Sequence, residues 1–355
     1  MRNCTKILIF YILFFCLVPS RGQTCTTFCL DHGDQPVFGR NYDWMVGDGL
    51  VIVNKRSVKK TAWSRHETSN PLTWTSKYGS VTFNQHGREF PMGGMNEAGL
   101  VVETMMLEET EYPSPDSRSE VEILQWIQYQ LDNFSTIEEV IESHLQIRIR
   151  DSGEPGCHFL VCDRTGNCAT IEFIGGKLVY HFKEKMPVKT LTNSTYAESI
   201  SFWKKDNIPQ PDKDQSVERF VRAANMVKKY DPKVAKTPID FAFDILESVA
   251  HYSYTQWSIV YDVKDLSVYF RTLDNQRTRY FDLKSFDLSC GTPVKVSDIN
   301  TSLAGDITDK FIDYTYQINR NLVGEAFKKT PVLSAVPVYA LDMRSKYPES
   351  TSCIE

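Results

Sequence analysis

The chemistry of this chain starts at Cys25, because of what precedes it. Residues 1–24 open with Arg2 and Lys6, run through twelve unbroken apolar residues from Ile7 to Val18, and end small and polar at Pro19-Ser20-Arg21-Gly22-Gln23. A basic start, a short apolar run and a polar tail read as a secretory signal peptide. Twelve apolar residues are too few for a hydrocarbon core that needs about 20, and no later segment is apolar enough, so no stable membrane anchor is expected. Removing the leader would make Cys25 the first residue, with a thiol and a free α-amine on one carbon. A thiol titrates near about 8.5 and an α-amine near roughly 7.7–8.0. The amine can therefore take the thiol proton near neutral pH and return one to a leaving amine, with no histidine involved.

Arg40 and Asp43, in Phe38-Gly39-Arg40-Asn41-Tyr42-Asp43-Trp44, are the candidate supports. Positive charge beside a thiol favours the thiolate, and a carboxylate beside the amine would orient it and hold its proton. Residues three apart on a strand face opposite sides, so one of the two must reach the site around a bend. The alternative is a surface arginine and a turn aspartate. Other chemistries lack their signatures. The seven histidines form no cluster in sequence. There is no Gly-x-Ser-x-Gly elbow, no P-loop or dinucleotide fingerprint, and no Cys/His set at zinc-ligand spacing. No metal and no cofactor is expected. A net charge of −5, with no Lys/Arg cluster interleaved with aromatics, argues against nucleic acid as a partner.

The elements that must position these residues can be read from periodicity. Strand patterns cover 26–30, 50–53, 80–83, 100–102, 158–162, 169–173, 257–261 and 266–272, with a glycine-rich turn expected over 93–99. Helical spacing covers 120–131, 217–227 and part of 306–327. A capping box at Ser135-Thr136-Ile137-Glu138 opens a helix through about His144, and Thr237-Pro238 opens another through about Ala250. Residues 111–117 and 208–214 read as proline- and charge-rich loops. Blocks of strands broken by pairs of helices indicate an α+β fold. Of nine cysteines, Cys4 and Cys16 leave with the leader; with Cys25 free, six remain, an even number that suits an oxidising compartment. Cys162 and Cys168 flank a turn-like segment and could pair across a hairpin; buried free thiols are the alternative.

The motifs, taken in order, resemble the choloylglycine hydrolase family of linear amide C–N hydrolases, from Cys25 to about Leu283. Cys25-Thr26 matches the nucleophile position, and Gly39-Arg40-Asn41-Tyr42-Asp43 is similar to the family's Gly-Arg-Asn-x-Asp element. Gly94-Met95-Asn96-Glu97-Ala98-Gly99-Leu100, Thr192-Asn193-Ser194 and Ser216-Val217-Glu218-Arg219-Phe220-Val221-Arg222 resemble three further elements. The resemblance implies an N-terminal nucleophile hydrolase fold, a four-layer αββα sandwich of two stacked antiparallel sheets, built by residues 25–355 as a single domain. It implies that Cys25 attacks the amide carbonyl, that Arg40 lies by the thiol and Asp43 holds amine and thiol, that Asn193 donates to the oxyanion, and that Arg219 stabilises charge. The family's second oxyanion-side Asn or Tyr falls here at Glu103 or Met106, neither of which is a good donor. A backbone N–H could replace it. Glu103 could instead face the substrate and favour a cationic group, or point elsewhere and pair with an arginine.

The expectation is therefore an exported cysteine amidohydrolase, secreted or periplasmic, that cleaves a linear non-peptide amide through an acyl-thioester on Cys25. Its partner would be a small-molecule acyl-amide, with Trp44 a candidate wall for an apolar acyl group (or a core residue) and a homo-oligomer left open. An acyltransferase using the same thioester, and a catalytically weak acyl-ligand-binding relative, are the alternatives.

Overall fold

The computed structural model describes residues 25–31, 35–64, 70–205, 215–233 and 237–354. The leader expected at 1–24 and the loop expected at 208–214 lie outside the described residues. Two large sheets carry the architecture. The first orders its strands Thr190–Leu191, Thr26–Leu30, Val37–Asp43, Thr255–Asp262, Ser267–Thr272, Arg279–Asp282 and Gly305–Asp306. The second orders them Lys177–Phe182, Cys168–Ile174, Cys157–Cys162, Val101–Met106, Gly93–Asn96, Ser80–Asn84, Leu50–Asn54, Lys295–Asp298 and Ile312–Asp313. All neighbours pair antiparallel except Arg279–Asp282 with Gly305–Asp306.

Alternation in Thr26–Leu30 decides which way each side chain goes. Thr27 donates to the Met105 sulfur at 3.2 Å across the gap between the sheets, and Cys29 lies with the Cys162 and Cys168 sulfurs of the second sheet, all within 4.8 Å of one another. Thr26 faces the other way, toward Arg219 of the helix Ser216–Lys229. That helix and Pro238–Ser248 cover the outer face of the first sheet, where Asn41 donates to the Leu246 carbonyl at 2.7 Å. The helix Ile123–Asn133 covers the outer face of the second, with Trp126 against Phe159 at 4.3 Å between ring centroids. Between the sheets, Phe83 contacts Tyr261 and Phe270 edge-on. Each large apolar side chain so enclosed contributes about 1.5–3 kcal/mol. Helix, sheet, sheet, helix is the four-layer N-terminal nucleophile hydrolase sandwich. Among the described residues, no helix is long and apolar enough to cross a membrane.

Several expected boundaries move. The helix expected at 120–131 begins at Ile123, because Ser119–Val121 pairs in parallel with Ile147–Ile149. The capping box is Thr136 with Glu139, one residue later than expected, and opens Ile137–Glu142. The helical stretch expected at 306–327 is helix only as Tyr316–Lys329, capped by Thr315. The residues before it form short strands and a 3-10 turn, in which Asp306 bonds its own chain at Thr308. The turn expected over 93–99 is half strand: Gly93–Asn96 pairs on both edges, and the reversal follows at 97–100 with Gly99 at φ +86°. The glycines there permit close approach, not turning. Cys162 and Cys168 are disulfide-bonded across their hairpin, and Cys290 bonds Cys353. Cys25, Cys29 and Cys157 are free and buried.

Gly39 sits opposite Phe28 in the ladder, and a Cβ there would lie 2.3 Å from the Phe28 ring. Gly39→Ala should therefore destabilise by about 1–3 kcal/mol through overpacking. Urea unfolding checks this, and an unchanged midpoint would show that the ring can move aside at no cost.

Candidate active site

Strand register assembles the site. Thr27 lies opposite Leu191 and Thr26 opposite Asn41. Continuing each antiparallel ladder by the same steps brings Asn193 and Tyr42 to the flanks of Cys25. The Cys25 side chain is 6% exposed, and its sulfur receives the backbone N–H of Asp43 at 3.5 Å. Arg219, buried in the helix Ser216–Lys229, donates to the Cys25 carbonyl at 2.8 Å, to the Thr26 hydroxyl at 2.9 Å and to Asn193 Oδ1 at 3.2 Å. The Asn193 amide donates in turn to the Met106 carbonyl at 2.9 Å. Cys25, Asn193 and Arg219, distant in sequence, thus meet through one guanidinium.

Arg40 and Asp43 both come from Val37–Asp43, and the strand paired beside Asp43 is irregular. Tyr42 pairs with Trp257 and Asp43 with Thr255, which leaves Gln256 as the extra residue of a β-bulge, a device that twists and re-aims the strands around it. The Thr255 hydroxyl accepts the His251 N–H at 2.9 Å and donates to Asp43 Oδ1. Sequence reasoning missed Thr255, since only the bulge gives it this place. The chain then turns at Trp44, half-buried against the main core and bonded through its backbone to Tyr254 and Gln256.

Arg40 is fully buried. It donates to the Met92 carbonyl at 2.8 Å, the Thr104 carbonyl at 3.0 Å and the Glu103 carboxylate. Glu103, also fully buried, accepts a second bond from the Tyr261 hydroxyl at 2.6 Å. As the substrate-facing group considered from sequence, Glu103 is corrected: both of its oxygens are engaged inside the protein, because a buried guanidinium must be paired. Met106, the other candidate for that place, contributes its backbone carbonyl, which orients Asn193. Gly93 makes room for the ion pair, since a Cβ there would stand 1.8 Å from a Glu103 oxygen.

Electrostatics follow from this enclosure. Burial, and secondarily the Asp43 carboxylate, raise the Cys25 thiol above its ordinary pKa, while Arg40, the Asp43 N–H and Arg219 pull it back. Burial pushes Glu103 up to about 7, partly offset by Arg40 and Tyr261. Burial thus favours the protonated form of the thiol.

Comparison with known proteins places this arrangement. The chain matches the family described as linear amide C–N hydrolases, choloylglycine hydrolase family, over residues 25–207 and 204–297. It belongs to that family and is a hydrolase of carbon–nitrogen bonds in linear amides. It is 28% identical over 314 residues to the penicillin V acylase of Pectobacterium atrosepticum, covering 75% of this chain and 82% of that protein. Its structure matches penicillin V acylase from Agrobacterium tumefaciens with a TM-score of 0.70 at 26% identity, over 82% of this chain and 98% of that one. A variant of conjugated bile acid hydrolase from Clostridium perfringens matches in fold, with a TM-score of 0.67 at 22% identity, over 79% and 98% of the two chains.

Glu103→Ala would strand the Arg40 charge and should cost about 3–5 kcal/mol in urea unfolding; Glu103→Gln should cost less. The folded carboxyl keeps its proton to a higher pH than the unfolded one. Its stabilising contribution is therefore complete below 4.5 and lost as pH rises through about 7. Wild-type stability should fall relative to Glu103→Gln across that window; parallel pH curves for the two proteins would contradict the assignment.

Proposed function

We propose that this hydrolase acts through Cys25 as an N-terminal nucleophile. In the full chain the Cys25 nitrogen is in a peptide bond to Thr24; loss of 1–24 during export would free it as an α-amine. That amine takes the thiol proton. The need for it follows from the site, because burial holds the thiol protonated and, among the described residues, no histidine bonds its sulfur. The thiolate attacks the amide carbonyl. The second N–H of the Asn193 amide, left over from the bond to Met106, donates to the oxyanion, and the Arg219 charge lies behind it. The amine returns its proton to the leaving nitrogen, the acid portion stays as a thioester on Cys25, and water attacks it with the same amine as base. Asp43, fixed by Thr255, holds the amine. The observation that carries this reading is the single guanidinium of Arg219 bonded to both Cys25 and Asn193.

The substrate class is a small acyl-amide with an apolar acyl portion against Trp44, in line with the penicillin V and conjugated bile acid substrates named for its relatives. We place the enzyme outside the cell or in a periplasm. Both the leader sequence and the two disulfides support an oxidising compartment.

Edman sequencing of active enzyme should read Cys first. Cys25→Ala should abolish amine release from penicillin V, conjugated bile salts and N-acyl amino acids, and Asn193→Ala should lower kcat by about 10²–10³. An active protein that begins at another residue, or a Cys25→Ala variant that turns over normally, would refute the mechanism.

A further inference from the structure

We propose that His158 and Glu172 form a buried imidazolium–carboxylate pair that positions Asn193 by gripping both ends of the loop that carries it. The two are cross-strand neighbours on the inner face of the second sheet, one step along the ladder from the outward-facing pair Phe159 and Ile171, and both are buried. His158 Nδ1 lies 3.1 Å from Glu172 Oε1, and Nε2 lies 2.6 Å from the Thr192 carbonyl. Glu172 Oε1 also accepts the Tyr196 N–H at 2.9 Å, at the first residue of the helix Tyr196–Lys204. One end of the 192–195 loop is thus held through its carbonyl by the imidazole, and the other through its N–H by the carboxylate.

The partners determine the proton count. A backbone carbonyl only accepts hydrogen bonds, and so does Glu172 as a carboxylate; against these two acceptors each ring nitrogen of His158 donates, which is the imidazolium of the proposed pair. Among the described residues, the other titratable groups against the pair are His181 and Tyr196. His181 Nδ1 is 3.8 Å from Glu172 Oε2 and 3.1 Å from the Thr170 hydroxyl, and burial lowers its pKa, which keeps it neutral. Tyr196 lies against the His181 ring and sends its hydroxyl away, to the Val188 carbonyl at 2.7 Å.

The pair is a positioning device and touches no substrate. It acts through Thr192, whose hydroxyl is also tied to the Ser216 carbonyl at 3.0 Å on the Arg219 helix. Thr192, which precedes Asn193, thus links the His158 ring to the helix that carries Arg219. The inference rests on Asn193 being the oxyanion donor, and its test separates the two claims.

In NMR spectra of the mature wild-type enzyme, His158 should show two ring N–H protons. Glu172→Gln keeps an amide oxygen for the Tyr196 N–H but removes the charge that holds the second ring proton, so it should show one ring proton. His158→Leu removes the donor to Thr192. It should lower kcat roughly a hundredfold, the scale of a misplacement of about 1 Å, with KM little changed, and speed amide hydrogen exchange in 192–195. A single ring proton in wild type, or loop exchange and kcat unchanged in His158→Leu, would overturn the proposal. If His158→Leu does not fold, the ring-proton count in wild type and Glu172→Gln decides alone. If exchange quickens in His158→Leu while Asn193→Ala leaves kcat intact, the loop clamp stands and the oxyanion role of Asn193 fails.

Discussion

The structure depends on a guanidinium that has no access to water. Arg40 leaves the first sheet and spends its donors on the second, at Met92, Glu103 and Thr104, while Tyr261 reaches back from the first sheet to Glu103. A buried charge with a missing partner costs several kcal/mol, so this cluster fixes how far apart the sheets stand and how they slide past each other at the depth of Cys25. The apolar side chains between the sheets, such as Phe83 and Phe270, are non-directional and would tolerate a shift. The ion pair would not, and Gly93 supplies the space without which Glu103 could not lie there.

Given that spacing, the site is a consequence of pairing. Cys25 sits at the end of a strand flanked by Thr190–Leu191 and Val37–Asp43, so its neighbours come from the ends of those strands: Asn193 on one side, Tyr42 and Asp43 on the other. The helix above supplies Arg219. The bulge at Gln256 sets Thr255 opposite Asp43, and the Thr255 hydroxyl donates to the Asp43 carboxylate.

The sequence makes some of this readable and hides the rest for identifiable reasons. Alternation over 26–30 and the hairpins around 162–168 and 262–266 are local signals, and they match the observed strands. Helix starts shift where tertiary pairing competes: residues 119–121 are taken by a parallel partner 28 residues away. The glycines at 93–94 look like a turn because turns and close packing use the same residue, and only the position of Glu103 tells them apart. Cys25, Arg40 and Asp43 could be singled out as chemistry from residue type. Asn193 and Arg219 entered through family resemblance, since nothing local marks an asparagine that will lie across a ladder from a cysteine. His158 and Glu172 gave no signal, because a clustered pair in space is two unremarked residues on neighbouring strands in sequence.

The charge balance around the thiol ties these layers together. Two cations, Arg40 and Arg219, face the Asp43 carboxylate and the Glu103 carboxyl, whose proton burial holds up to about 7. Arg40 favours the thiolate but shares its field with Glu103, and Asp43 opposes ionisation directly. Burial then decides, and it keeps the proton on sulfur. A cysteine in such surroundings would be inert as an internal residue, like Cys29, which burial pushes up to about 12. What distinguishes Cys25 in the proposed mechanism is the amine that appears when the preceding chain is removed: a base attached to the nucleophile, inside the same low-dielectric enclosure, that needs no separate strand or loop to position it. On that reading the fold's contribution is to hold everything else still, the thiol against the Asp43 N–H, Asn193 under two restraints and Arg219 across the Cys25 carbonyl, so that one proton transfer over a few bonds is sufficient to start the reaction.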